Sequence, residues 1–144
     1  MRAGTVRPIA ICAFVHRDRI LVFEGYDPVK DEVFYRPLGG TIEFGEYGHQ
    51  TVVREFQEEL GAEVVNVHYL GALENIFMHA AQPGHEIVLV YGGDFVDHSF
   101  YEREMLDGQE DDGSSFKAMW KPLDVFRRGE TPLYPTGLLE LLVT

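Results

Sequence analysis

Residues 40–62 read GTIEFGEYGHQTVVREFQEELGA, a glycine-containing loop followed by a segment with helical periodicity. Three glutamates of this segment, Glu55, Glu58 and Glu59, share one helix face, because residues three and four apart are neighbours on an α-helix. Like charges at this spacing repel by roughly 0.2–0.5 kcal/mol per pair, and the segment contains no lysine to offset the repulsion. A hard divalent cation would offset it, since Mg²⁺ prefers oxygen ligands. The stretch therefore predicts a metal site on one helix face.

The same residues resemble the Nudix box, the signature of the Nudix hydrolase family, whose pattern is G-x5-E-x7-R-E-U-x-E-E-x-G-U with U a bulky aliphatic residue. The aromatic Phe56 and the small Ala62 depart from the pattern at two U positions and replace no charged residue. The resemblance is specific, because many fixed positions at fixed spacing rarely arise by chance. All charged and glycine positions are met, namely by Gly40, Glu46, Arg54, Glu55, Glu58, Glu59 and Gly61.

The resemblance implies an α/β (α+β) fold, namely an α/β/α sandwich with a mixed β-sheet in which the box forms a loop-helix-loop. Residues 1–144 are expected to form a single domain, which the chain length also favours. The resemblance further implies a pyrophosphohydrolase that uses Mg²⁺ or Mn²⁺. Such an enzyme cleaves a nucleoside diphosphate linked to another moiety by attack of water on phosphorus.

The motif positions also imply roles for individual residues. Glu55 and Glu59 are implied as the main metal ligands, Glu58 as a further ligand or a residue that assists the water, and the carbonyl of Gly39 as an additional ligand. Arg54 would orient a glutamate through a charge-assisted contact. We therefore assign Glu55, Glu58 and Arg54 to the catalytic machinery.

The general base and the substrate-binding residues are less constrained by the motif. Members of the family use either a box glutamate such as Glu58 or an acid outside the box. Outside candidates are Glu86, at the start of a predicted strand, and the acids at 110–112, which either lie in a solvated loop or reach the metal site. Tyr35 and Arg36, just before the glycines, are candidates for contact with a base or a phosphate of the substrate.

The composition limits the possible partners of the chain. Its 24 acidic and 12 basic residues give a formal net charge of −12, which argues against extended nucleic-acid binding because that relies on lysine and arginine. The single cysteine, Cys12, allows no disulfide within the chain and fits a reducing compartment. No long apolar segment opens the sequence, so we expect a cytoplasmic protein without a membrane anchor. A homodimer is compatible with the resemblance, since dimers are common in the family.

Hydrophobic patterning predicts the secondary structure. A helix over residues 48–60 with Gly61 as its end follows from an apolar stripe beside the carboxylates. Glycine- and proline-containing stretches at 24–32, 81–85 and 107–115 are expected to be loops. The remaining expected elements are strands at 9–15, 20–23, 63–74, 87–95 and 117–121, a helical turn at 102–106, and helices at 123–127 and 136–143, the last capped by Thr136.

Two other functions compete with the nucleotide hydrolase. One is a hydrolase of a non-nucleoside diphosphate, and the other is a non-catalytic Nudix domain that binds or senses a nucleotide. RNA decapping is a further rival, but the acidic composition lacks the basic surface that it requires. Retention of Glu55, Glu58 and Glu59 favours an enzyme over a sensor. The sequence leaves ADP-ribose, dinucleoside polyphosphates, nucleotide sugars and nucleoside triphosphates open as substrates.

Overall fold

The computed structural model describes residues 4–142. Within them the chain forms strands, three α-helices and one 3₁₀ turn, and no helix in this range is long and apolar enough to cross a membrane. The elements are β1 Arg7–Cys12, β2 Val15–His16, β3 Arg19–Asp27, β4 Glu32–Arg36, β5 Gly39–Thr41, α1 Gly48–Leu60, β6 Val64–His79, β7 Gln82–Phe95, the 3₁₀ turn His98–Tyr101, β8 Met105–Gln109, β9 Ser115–Pro122, α2 Leu123–Arg127 and α3 Leu138–Leu142.

The strands form two sheets. The first has the order β5-β1-β7-β6 and is mixed, because β1 and β7 run parallel while the other neighbours are antiparallel. The second has the order β2-β3-β9-β8 with β4 also paired to β3, and its pairs are antiparallel. The expected α+β class and the mixed sheet are therefore confirmed.

The core lies on both faces of β1, because alternate residues of a strand point to opposite sides. Ala10 and Cys12 pack in a cluster that contains Phe56 of α1. Ile9 and Ile11 pack in a second cluster with residues of α2 and α3. The helices thus lie on opposite sides of the sheet strands, which is the layered arrangement expected from the resemblance.

Helix α1 spans the predicted residues, Gly48–Leu60. Gly61 ends it in the left-handed conformation, with φ 64°, and its N–H donates to the carbonyl of Gln57 at 3.0 Å. Val52 and Phe56 are buried against the sheets, as the apolar stripe predicts. The short helix at Leu123–Arg127 is also confirmed. The C-terminal helix begins at Leu138, two residues after the expected cap Thr136, and residue 143 lies outside the described residues.

Strands replace most of the loops predicted at 24–32 and 81–85, whereas the loop predicted at 107–115 is confirmed over residues 110–114. Strand β3 continues to Asp27 and β4 begins at Glu32, while β6 and β7 continue to a tight turn at Ala80 and Ala81. Both alanines have positive φ angles, 50° and 67°, as a two-residue hairpin turn requires. Strand β8 occupies part of the region expected to be a helical turn and a polar loop. The turn at Ala80 and Ala81 thus formed without the glycine or asparagine that usually occupies such positions.

Glycines misled the loop predictions because several lie inside strands, opposite an aromatic residue. In each pair the ring lies over the glycine, so that a Cβ atom on the glycine would be 2.2–2.3 Å from the nearest ring atom. An aromatic ring that covers a cross-strand glycine compensates for its missing side chain. The pairs are Gly25 with Phe34, Gly84 with Phe77, and Gly108 with Phe116.

We expect Phe56→Ala to lower the free energy of unfolding by about 3–5 kcal/mol, because it removes a large buried side chain and leaves a cavity. Phe56 is 1% exposed and its ring packs edge-on against Phe14, at 5.1 Å between centroids. Urea denaturation followed by circular dichroism measures the change. Val53→Ala, on the exposed side of the same helix, is the control and should cost under about 1 kcal/mol. Equal losses in the two variants would contradict this packing.

Candidate active site

Arg54 connects the box loop to helix α1. Its Nε donates to Oε2 of Glu46 at 2.8 Å and its Nη2 to Oε1 of the same carboxylate at 3.0 Å, so the pair is bidentate. Nη1 donates to Glu55 at 2.8 Å and to Glu58 at 3.4 Å, while Nη2 also donates to the carbonyl of Thr41. One guanidinium group therefore fixes two helix glutamates relative to the loop.

The ion pair between Arg54 and Glu46 is strong. Hydrogen bonds from Arg54 lower the pKa of Glu46 to about 2, against the opposing effect of burial. The hydroxyl of Thr51 adds a 2.6 Å hydrogen bond to the same carboxylate. The pKa of Arg54 is raised in turn, first by Glu46. Glu46 therefore stays ionised at neutral pH and holds the loop against the helix.

Carboxylates from two distant parts of the chain meet beside this pair. Oxygen atoms of Glu55, Glu58 and Asp111 all lie within 4.8 Å of one another. Asp111 comes from the turn between β8 and β9. Glu55 is 6% exposed, and a Cβ atom at Gly40 would lie 2.4 Å from its carboxylate, so glycine permits this close approach. The site thus has a carboxylate supplied from outside the box.

Glu59 is the most perturbed acid of the group. Burial, followed by a hydrogen bond and charge repulsion from Glu55, raises the pKa of Glu59 to about 9. The charges of Glu110 and Asp111 raise it further. Burial also raises the pKa of Glu110, with added repulsion from neighbouring acids. This crowding of oxygen donors fits a hard divalent cation, which would relieve the repulsion.

A cavity of about 200 Å³ adjoins these acids. Glu59 and Glu110 line it together with Gly39 and Gly40. A Cβ atom on Gly39 would lie 2.0 Å from the carbonyl oxygen of Ala10, so only glycine fits between β5 and β1. Gly39 therefore borders the same space as the predicted ligand Glu59.

Glu86 lies deep in the interior of β7, where sequence reasoning expected the start of a strand. It is 2% exposed and forms ion pairs with Arg7, at 3.7 Å, and Arg36, at 3.6 Å. Burial lowers the pKa of Arg36, while the charge of Glu86 opposes that shift. All three side chains line the cavity, on the wall that also includes residues of β1. Arg36 is therefore close to the acids, and Arg7 is a site residue that sequence reasoning missed.

Tyr35 is not brought to this cavity. Its side chain packs in the cluster beneath α2, where its ring lies 6.0 Å from that of Phe126. Its hydroxyl donates to Glu24 at 2.7 Å, and burial raises the pKa of Tyr35 to about 12. Neighbouring residues of a strand face opposite sides, so Arg36 faces the cavity and Tyr35 does not.

The sequence feature that could have identified Arg7 as a candidate is its position at the start of the apolar strand β1. Arg7 pairs with Glu86 in the parallel register between β1 and β7. That register joins residues far apart in the chain, and nothing in either segment alone indicates it. The acids at 110–112 were recognised as candidates, and the structure brings Glu110 and Asp111 to the box helix.

Comparison with known proteins identifies the family. Residues 6–137 match the NUDIX domain, which is most of the chain. Two curated proteins of Pseudomonas aeruginosa strains, both named NAD-capped RNA hydrolase NudC, are each 41% identical over 58 residues. The match covers 40% of this chain and 21% of those proteins, so this chain spans about a fifth of their length.

Solved structures show the same fold. A NUDIX hydrolase from Nitrosomonas europaea aligns with a TM-score of 0.65 at 16% identity, covering 96% of this chain and 87% of that protein. The Escherichia coli ORF135 protein aligns with a TM-score of 0.57 at 20% identity, covering 96% and 89%. Identities this low establish the shared fold and carry no information on the substrate.

We expect Arg54→Lys to weaken divalent-metal binding about 10- to 100-fold, as loss of a residue that orients ligands does in other metal sites. Lysine keeps the charge but cannot contact Glu46 in bidentate fashion while also reaching Glu55. Titration of the protein with Mn²⁺ by calorimetry measures the affinity. Arg128→Lys, at an arginine whose side chain is 61% exposed, is the control and should change nothing. Wild-type Mn²⁺ affinity in Arg54→Lys would contradict the orienting role.

Proposed function

This chain belongs to the Nudix hydrolase family, and from that premise we propose that it is a Mg²⁺- or Mn²⁺-dependent pyrophosphohydrolase of a small nucleotide derivative. Enzymes of this family act on nucleoside diphosphate derivatives. The observation that carries the proposal is the convergence of Glu55, Glu58, Glu59 and Asp111 beside a cavity that also contains two arginines. Cleavage of a diphosphate can use both kinds of side chain, because the acids can bind a divalent cation and the arginines can bind phosphate groups.

The proposed metal ion would offset the electrostatic repulsion between this acidic protein and a diphosphate substrate. A chain with a net charge of −12 repels a diphosphate, whose phosphorus is itself surrounded by negative oxygens. A divalent cation, when bound, would neutralise those oxygens and acidify the attacking water. Glu55 and Glu59 would hold it, with Asp111 and the carbonyl of Gly39 as further candidate ligands, and Glu58 would either be another ligand or assist the attacking water. Arg54 would keep the helix ligands in place.

We assign proton acceptance to the carboxylate cluster. Glu58 is the preferred candidate, because its side chain is 46% exposed and water can reach it. Glu86 was an alternative from the sequence, but its carboxylate already accepts two ion pairs. Oε2 of Glu86 faces Arg7 and Oε1 faces Arg36, and the residue is only 2% exposed, so neither oxygen is free to receive a proton from water. We therefore propose that Glu86 positions Arg7 and Arg36 toward the phosphates of the substrate.

The rival functions differ from this one in testable ways. A nucleotide sensor would need no intact carboxylate cluster, so the complete set of acids supports an enzyme. NAD-capped RNA hydrolysis is the function named for the curated relatives, and the charge of −12 makes a long RNA an unfavourable partner for this chain. We propose a cytoplasmic location, which the buried and unpaired thiol of Cys12 fits. A homodimer is compatible with the proposal.

We expect metal-dependent cleavage of one substrate class and its loss in Glu59→Gln, by on the order of 100-fold or more, because a metal ligand is removed. The assay separates products by chromatography after incubation with ADP-ribose, dinucleoside polyphosphates, nucleotide sugars or nucleoside triphosphates. Each reaction is run with Mg²⁺, with Mn²⁺ and with chelator. Glu63→Gln removes an exposed glutamate close to the same helix and should retain full activity. Full turnover in Glu59→Gln would remove Glu59 from the metal site, and cleavage in chelator would contradict metal dependence.

A separate variant decides the role of Glu86. If Glu86 positions the two arginines, Glu86→Gln should raise KM about tenfold or more and change kcat little, because substrate phosphates are held less well. If Glu86 is the general base, the same variant should lower kcat by about 100-fold or more at unchanged KM. Arg36→Gln should reproduce the effect on KM in the first case. Steady-state kinetics on the substrate found above distinguish the two outcomes.

A further inference from the structure

Strand β6 leaves a long edge of the first sheet without a partner strand. It ends the order β5-β1-β7-β6, and within residues 4–142 it pairs with β7 alone. Register shifts interrupt this pairing before Gly71, whereas residues 71–79 pair with β7 without a shift. We call residues 72–79 the free edge. A regular edge of this kind presents a row of backbone N–H and C=O groups that can pair with another strand.

Pro83 shows which backbone groups of the free edge point outward. In an antiparallel pair, hydrogen-bonded positions alternate with positions whose N–H and C=O groups point away from the partner strand. Pro83 has no N–H to donate and lies opposite Met78, so this pair occupies a position of the second kind. Every second residue of the free edge has the same orientation as Met78. The outward-facing residues are therefore Ala72, Glu74, Ile76 and Met78.

The side chains of the free edge include two exposed apolar groups. Ile76 is 76% exposed and Met78 is 48% exposed. Alternate residues share a face, so Ile76 and Met78 point to one side of the strand and Phe77 to the other. Proteins usually protect an open edge with lysine, proline or a bulge. The free edge contains none of these, and Glu74 is its single carboxylate. It is therefore suited to pairing with a strand of another molecule.

The other strand edges in the described part of the chain are short or already bonded. Strands β2, β5 and β8 contain two, three and five residues. Strand β4 also contains five, and the backbone of Tyr35 donates to Pro132 and accepts from Tyr134. None of these edges matches the free edge in length. The edge that does match it is the free edge of a second copy of this chain.

We propose that the free edge pairs with the free edge of a second copy, antiparallel about a two-fold axis near Ile76. The pairing joins the first sheets of the two copies and forms roughly six backbone hydrogen bonds, two for each hydrogen-bonded pair. It brings the two Ile76 side chains together and keeps each Glu74 from lying opposite its copy. The dimer is closed, because the same surface is used on both copies.

The interface would lie along the wall of a second cavity. This cavity, of about 670 Å³, lies between the β3–β4 hairpin and the end of the β6–β7 hairpin. It shares Arg36 and Glu86 with the cavity beside the acids. Asn75 and Phe77 line it from the face of the free edge opposite Ile76. The dimer would therefore place the larger cavities of its two copies side by side. The proposal itself does not depend on hydrolysis of any substrate.

Analytical ultracentrifugation over a range of concentrations tests the pairing. The wild-type chain should form a species of twice the chain mass. Ile76→Glu should raise the dimer dissociation constant about tenfold or more, because it removes an apolar contact and adds an acid near Glu74. Ile76→Pro should do the same, because it removes an outward N–H, and proline is tolerated on an edge strand. Circular dichroism checks that both variants fold.

Val65→Glu is the matched control for these variants. Val65 is an exposed β-branched residue of the same strand, and it lies in the part interrupted by register shifts. The control adds the same charge and should leave the dimer dissociation constant unchanged. A dimer lost equally in Val65→Glu and Ile76→Glu would contradict the placement of the interface on the free edge.

Hydrogen exchange followed by NMR identifies the paired backbone groups directly. The amides of Glu74, Ile76 and Met78 should exchange about tenfold more slowly when most chains are dimeric than after dilution. The amides of Asn75 and Phe77 point to β7 and should be protected at both concentrations. A dimer without this alternating protection would reject strand pairing.

Two further outcomes would overturn the proposal. One is a wild-type chain that stays monomeric at every concentration, including the case in which an extended peptide of another protein protects the same amides. The other is a dimer that both Ile76→Glu and Ile76→Pro leave intact, since another surface would then form it. Cleavage of a substrate by a monomer would leave the proposed function unaffected.

Discussion

The site depends on a single guanidinium group surrounded by carboxylates. Arg54 pairs with Glu46, Glu55 and Glu58 and lies 3.6 Å from a carboxylate oxygen of Glu43. Without that cation, the acidic loop and the acidic helix face would repel each other. Arg54 therefore makes it possible to bring so many acids together in one folded structure. Its reach from the loop to the helix also explains why the motif needs arginine, since lysine offers a single point of contact.

Arg54 neutralises only part of this charge. Burial and the neighbouring acids Glu55, Glu110 and Asp111 still raise the pKa of Glu59 to about 9. The folded protein therefore keeps a group of clustered carboxylates whose charge its own arginines do not neutralise. Such frustration at one place in an otherwise consistent fold is typical of a functional site. It is also the property that fits the site to a divalent cation.

The parts of the structure that the sequence predicted are those determined locally. Helix α1 and its end at Gly61 follow from a periodic stripe and a left-handed glycine, both contained within the segment. Long-range pairing determined the rest. Asp111 reaches the box through the β8–β9 turn, and Arg7 meets Glu86 through a parallel register. Gly25, Gly84 and Gly108 indicated loops because the rings that cover them belong to other strands, which the sequence alone did not pair.

The residues that are placed by local sequence would perform the reaction, whereas the residues that are brought together by long-range pairing would determine substrate specificity. The box supplies most of the acids from one contiguous segment, so any chain with that segment can present them. The two cavities beside the acids are lined by residues of β1, β4 and the two hairpins, so their shape depends on the long-range pairing of these elements. Solved structures at 16–20% identity share this fold. We therefore expect the residues around Arg7, Phe34, Arg36 and Phe77 to determine which substrate binds. The box carboxylates would act at the phosphates, which all the candidate substrates share.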